Sequence, residues 1–145
     1  MIIDIKKLND NAIIPTQANK GDAGFDLYAC IENDITIPVG ETVKVPTGVS
    51  IAIPDGYFGA IFARSGLATK QGLRPANCVG VCDSAYRGEY IVALHNDSME
   101  NRVISKGDRI AQLIIMPFLS AEFNVVDELS ETERGTGGFG STGIN

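Results

Sequence analysis

Short runs of alternating apolar and polar residues, each closed by Gly or Pro, constrain this chain more than any other feature. Alternation with a period of two sends one side of an extended segment into a core and leaves the other in water. Ile35-Thr36-Ile37 reads as such a strand and stops at the turn Pro38-Val39-Gly40. Residues 42–45 form the next strand and stop at Pro46-Thr47-Gly48. Residues 49–53 stop at Pro54-Asp55-Gly56, where Pro presets φ and Gly supplies a positive one. Residues 57–63, 90–94 and 110–116 follow the same rule, and residues 122–126 read as one more strand. Strands this short and this regularly punctuated predict an all-β sandwich, jelly roll or barrel. The one helix that the pattern supports is a turn or two after Ser65, over residues 66–70.

With 145 residues, 44% of them hydrophobic and 21% charged, the chain suits one domain with its own core. Eighteen acids against twelve bases leave a net charge of −6, which excludes general binding to nucleic acid, a task for a basic face. A phosphate-bearing small molecule remains open, because a few Arg side chains and backbone N–H groups suffice to hold one. The three cysteines, Cys30, Cys78 and Cys82, are odd in number and lack a paired spacing, which points to a reducing cytosol. One histidine, His95, cannot complete a zinc site with them, and its place after the apolar run 91–94 puts it at a strand end. Residues 1–7 alternate and carry no signal-peptide apolar run, and the longest greasy stretch, 110–119, is broken by Gln112 and Pro117, so no membrane segment is expected. From residue 128 the composition turns polar and then glycine-rich. Residues 1–127 are therefore read as the barrel and 128–145 as a flexible arm.

Gly135-Thr136-Gly137-Gly138-Phe139-Gly140 matches the dinucleotide fingerprint G-x-G-x-x-G, but only five residues follow it and no helix can form there. What survives is a flexible run of N–H donors beside the Ser141 and Thr142 hydroxyls, suited to wrapping phosphates. Four other segments are over-specified for structure alone. Residues 22–29 place two acids around a small turn. Arg64-Ser65-Gly66 ends a strand. Residues 80–89 read Gly-Val-Cys-Asp-Ser-Ala-Tyr-Arg-Gly-Glu. Residues 107–113 read Gly-Asp-Arg-Ile-Ala-Gln-Leu.

In this order these five segments resemble the five motifs of the trimeric dUTPase family, over about residues 22–143. The resemblance implies a distorted jelly-roll β-barrel and a homotrimer, each active site being shared by three subunits and closed by the C-terminal arm of one. It implies hydrolysis of dUTP to dUMP and pyrophosphate with Mg²⁺. Asp83 resembles the residue that activates the attacking water, and Tyr86 the ring that packs under the deoxyribose and excludes a 2′-hydroxyl. Asn77 and the backbone of Gly80, Val81, Cys82 and Asp83 resemble the uracil-reading hairpin. Arg64, Ser65, Gly66 and Gln112 resemble phosphate contacts. Arg134 resembles the arm's γ-phosphate cation, Phe139 the ring that stacks on uracil, and Gly140, Ser141 and Thr142 its phosphate-wrapping neighbours. Asp26 resembles the carboxylate that holds Mg²⁺ through water. Arg87 and Asp108 read as structural turn or ion-pair residues, and Asp22 divides evenly between turn and site.

Three positions depart from the family pattern. Ala63 stands where a Pro often precedes Arg-Ser-Gly, Cys82 where an Ile or Val precedes the catalytic acid, and Cys78-Val79 where a small residue and Pro occupy the uracil loop. Two other functions share the expected barrel. A dCTP deaminase is disfavoured by Arg64-Ser65-Gly66 and Asp83. A dUTP-sensing regulator is disfavoured by the filled catalytic positions and by the lack of an obvious insertion.

Overall fold

The computed structural model describes residues 1–138. Eleven strands and one helix follow in order: β1 (Asp4–Lys7), β2 (Phe25–Tyr28), β3 (Ile35–Ile37), β4 (Thr42–Pro46), β5 (Val49–Ala52), β6 (Tyr57–Phe62), α1 (Ser65–Gln71), β7 (Leu73–Pro75), β8 (Val79–Cys82), β9 (Ile91–Asn96), β10 (Arg102–Ile104) and β11 (Arg109–Pro117). They form four small antiparallel sheets, ordered β1-β5, β10-β3, β2-β11-β6-β8 and β4-β9-β7. Neighbours in a sheet are mostly distant in sequence, and the sheets wrap one core as a distorted jelly-roll barrel.

The alternation works as read. In β9, Val92, Leu94 and Asn96 point inward while Ile91, Ala93 and His95 face outward. Asn96 is fully buried, and its side chain replaces lost water completely. Nδ2 donates to Ile37 O and Glu100 O at 2.9 and 2.8 Å, and Oδ1 accepts from Ser98 N at 2.9 Å. Leu27, Ile37, Val45, Val49, Leu94, Ile110 and Ala111 fill the centre.

The structure corrects one strand and adds several. Residues 122–126 are not a strand: Phe123 is 98% and Val125 95% exposed, with no sheet edge beside them. Alternation supplies only the option of a strand, and a partner's N–H and C=O groups must realise it. Conversely β7, β8 and β10 were not read from the sequence, and their neighbours decide them. Gly72, in the left-handed region at φ 67°, turns the chain from α1 into β7. No helix among the described residues is long and apolar enough to cross a membrane.

Candidate active site

The sheet β2-β11-β6-β8 carries four of the five segments, and they form two separate clusters. The first lies where β6 runs into α1. Arg64, Ser65 and Gly66 line a polar cavity of about 390 Å³ together with Asp26, Arg109 and Gln112. Asp26 on β2 is only 13% exposed and is held from both sides. Arg64 Nε donates to its Oδ1 at 2.9 Å and Arg109 Nη1 to its Oδ2 at 3.1 Å. One largely buried carboxylate thus fixes two guanidiniums that otherwise repel each other; Arg64 Nη1 also donates to Arg109 O at 3.2 Å, and the N–H groups that remain are available to an anion. Gln112 lies across Gly24, where a Cβ would stand 2.5 Å from its Oε1, and its Nε2 donates to Ala63 O at 2.8 Å. Gly66 has no atom within 4 Å of where its Cβ would be, so the cavity floor stays open.

Arg109 was not singled out from the sequence as a site residue. Under strict alternation Arg109 and Gln112 face opposite sides of β11. A register shift between Arg109 and Ala111, a β-bulge, restores both to the same cavity and buries Ile110 and Ala111 consecutively. A cation in the Gly107-Asp108-Arg109 turn was the available signal; the bulge was not visible in the residues. Asp22 serves its own turn, accepting from Asn19 N at 2.8 Å and Nδ2 at 3.2 Å, while it also edges the cavity.

The second cluster surrounds β8. Asn77, Gly80, Val81, Cys82, Asp83 and Tyr86 line a cavity of about 250 Å³. Gly80 packs on Ile61, where a Cβ would approach at 3.1 Å, so β8 sits flat against β6. Asp83 follows β8 directly; it is exposed, and its carboxylate accepts no hydrogen bond from the described residues. Tyr86 lies beside it with its hydroxyl donating to Glu89 O at 2.9 Å, over Gly88, whose Cβ would clash at 2.4 Å. The 83–90 loop is tied down to β5. Glu89 Oε1 accepts from Gly48 N at 2.7 Å, Ser50 Oγ donates to Arg87 O at 2.7 Å, and Tyr90 N donates to Val49 O at 2.9 Å. Arg87 braces the same loop through Tyr86 O at 2.9 Å.

Tyr90 is a second residue that the sequence did not single out. It is 1% exposed, and its hydroxyl makes no well-formed hydrogen bond among the described residues, with only the weakly bonding Cys82 thiol beside it. Burial, then the neighbouring Cys82, pushes its phenol far above the ordinary 10.0. Burial likewise raises the Cys82 thiol above 9.0, so Cys82 sits as a neutral thiol against Tyr90.

The two clusters do not meet within one chain. Gly59 pairs with Cys82 while Phe62 pairs with Val79, so Asp83 lies at one end of β6 and Arg64 beyond the other. Asp83 falls level with Phe58, so about six residues of extended strand separate them, roughly 20 Å. Arg134 lies in an exposed turn, its Nε donating to Gly137 O at 2.9 Å. Phe139, Gly140, Ser141 and Thr142 lie outside the described residues. Among the described residues no three His, Cys, Asp or Glu side chains gather to cage a metal. Asp26 has both oxygens engaged by guanidiniums, which leaves its second lone pairs for metal-bound water and none of the cage that a protein-held ion needs.

The profile of the dUTPase family matches residues 10–143. The deoxyuridine 5′-triphosphate nucleotidohydrolase of Desulfitobacterium hafniense is 51% identical over 133 residues, covering 91% of this chain and 88% of that one. The enzyme of the same name from Methylobacillus flagellatus is 44% identical, covering 99% and 97%. Among solved structures, the dUTPase of Staphylococcus bacteriophage 80alpha with dUPNHPP superposes with a TM-score of 0.86 at 30% identity, covering 99% of each chain.

Proposed function

From the premise that this chain belongs to the dUTPase family and is an enzyme that hydrolyses dUTP, we propose that Asp83 activates the water and that Arg64 and Gln112 hold the triphosphate. The observation that carries this reading is the Asp83 carboxylate, exposed and free of described partners, at the mouth of a cavity walled by Tyr86. A carboxylate that keeps its charge and its lone pairs can accept the proton of a water poised for attack.

The water attacks the α-phosphorus, its proton passes to Asp83, and the bond to the β-phosphate breaks to give dUMP and pyrophosphate. The protein's part is placement and charge compensation. Arg64 and Arg109, pre-aligned by Asp26, face the phosphate oxygens without reorganising, and Gln112 adds a neutral donor or acceptor beside them. Ser65 and Gly66 contribute hydroxyl and backbone contacts. Tyr86 forms a flat wall against the sugar that leaves no space for a 2′-hydroxyl. Asn77 and the β8 backbone read the uracil edge, where a mismatched base leaves buried polar groups unpaired. Asp26 would reach the waters of a Mg²⁺ carried chiefly by the triphosphate, and that ion would supply neutralisation and orientation of the phosphates.

The separation of Asp83 from Arg64 supports an active site assembled between copies of the chain, one giving the β8 side and another the Arg64 side. A homotrimer supplies such sites three times. Residues 1–127 form the barrel, and 128–145 form the arm that brings Arg134, Phe139, Gly140, Ser141 and Thr142 over a bound nucleotide.

Product analysis tests the reading. With Mg²⁺ present, dUTP alone among dUTP, dCTP, dTTP and UTP should yield its monophosphate and pyrophosphate. Asp83→Asn should keep dUTP affinity and lose on the order of 10²–10⁴ in kcat. Retained turnover in that variant removes Asp83 from the mechanism, and binding without turnover in the unaltered chain makes it a dUTP-binding regulator.

A further inference from the structure

On the outer face of the sheet β4-β9-β7, next to the Asn77 end of the second cluster, lies a group of polar and charged side chains that the reaction does not use. Thr42, His95 and Arg74 sit side by side across the three strands. Asp97 follows β9 and meets Arg74 through two bonds, Nε to Oδ2 at 2.6 Å and Nη2 to Oδ1 at 3.2 Å. His95 Nε2 stands 3.3 Å from the same Asp97, with Nδ1 2.9 Å from Thr42 Oγ1. The third Arg74 nitrogen, Nη1, is aimed elsewhere. It donates to Pro75 O and Ala76 O, both at 3.3 Å, and lies 3.8 Å from Cys78 Sγ.

All three of those atoms belong to the turn between β7 and β8 that carries Asn77 and passes from one sheet to the other, and this turn is strained. Cys78 has a φ of 61°, the only positive value at a non-glycine among the described residues. Asn77 O accepts from Val79 N at 2.6 Å, which closes a three-residue turn around Cys78. The turn folds the Asn77 amide back over β8, with Nδ2 3.6 Å from where a Gly80 Cβ would be, at the nucleoside cavity. A backbone in a sparsely populated conformation persists only where its surroundings over-determine it. Here the surroundings are a planar guanidinium held edge-on by a carboxylate, with its free edge across two consecutive carbonyls.

We infer that Arg74 and Asp97 are positioning residues for base selection: the pair locks the Asn77 turn into the conformation that reads uracil. This rests on the assignment of Asn77 and β8 to base recognition. The pair is half exposed, so its contribution to overall stability is small, and its effect is concentrated in the one loop it spans.

The test compares the unaltered enzyme with Arg74→Gln, Arg74→Lys and Asp97→Asn, each with Mg²⁺, by steady-state kinetics on dUTP and dCTP and by thermal unfolding. The expected result is an increase in KM for dUTP of about tenfold, with kcat within about twofold and Tm nearly unchanged, because Asp83 stands outside the turn. The kcat/KM preference for dUTP over dCTP should fall by a similar factor. Arg74→Lys should stay impaired, since a point charge cannot span the carboxylate and both carbonyls. Asp97→Asn should reproduce the Arg74→Gln profile, and the double variant should be no worse than either single one. A lowered Tm with base preference intact overturns the inference and leaves a structural ion pair. Full recovery with Lys overturns the fork geometry. An unaltered enzyme that itself fails to prefer dUTP over dCTP removes the base-recognition assignment instead.

Discussion

Tyr90 shows how much one side chain can carry beneath a site without touching the reacting atoms. Its ring lies 6.0 Å from that of Tyr86, and its buried hydroxyl has no well-formed hydrogen bond, only the weakly bonding Cys82 thiol beside it. An unsatisfied buried hydroxyl forfeits its bonds to water, so removing the oxygen relieves a penalty of about 1 kcal/mol or more. Tyr90→Phe should therefore leave Tm equal or higher, and a drop in Tm would reveal a bond that the hydroxyl makes. The same burial sets a pH dependence. Tyr90 and Cys82 hold their protons in the folded state above their ordinary 10.0 and 9.0, so the unfolded chain releases them first. Their contribution is fully present below pH 9.0 and is lost as pH rises past 9.0 and 10.0 toward the folded values. Urea titrations from neutral to alkaline pH should show stability falling across that window, with a shallower fall in a Cys82→Ala/Tyr90→Phe double variant. Residues of this kind were half legible. Asp83 and Tyr86 stood out within the over-specified segment 80–89, and Asn77 only through the family resemblance. Tyr90 looked like one more apolar position at the start of a strand.

The helix α1 and the strand β11 divide what local sequence can and cannot say about an element. The sequence placed α1 as a turn or two after Ser65, and the structure ends it at Gly72, which adopts φ 67° and where a Cβ would meet Ser98 N at 2.9 Å. Gly72→Ala combines left-handed strain with a backbone clash and should destabilise by about 1–2 kcal/mol or more, measured by urea unfolding. In β11 the apolar run was plain, but the bulge beside Arg109 was not. An extra residue in one strand is defined by the pairing of two strands, so it has no signature in either alone. Residues 122–126 fail from the opposite side: they have the pattern and lack the partner.

At the scale of the whole molecule the decisive fact is the distance between Asp83 and Arg64 at opposite ends of β6. If sites form between copies, Asp83→Asn and Arg64→Ala chains, each inactive alone, should recover dUTP hydrolysis when mixed and refolded together. No recovery, with both variants folded and oligomeric, would place the whole site within one chain. Residues 118–138 contribute no buried residue, so deletion of residues 134–145 should leave Tm unchanged while turnover falls. Unfolding would instead make the arm part of the barrel. The sequence by itself determined the class of fold and the chemical groups available, because alternation, turn residues and an acid or cation out of pattern are properties of neighbours along the chain. Tertiary structure alone decided that Arg109 joins Gln112 in one cavity, that Arg74 spans the Asn77 turn, and that Asp83 stands apart from Arg64. Each of these depends on the register between strands remote in sequence, and register is set only when a shared core has been packed.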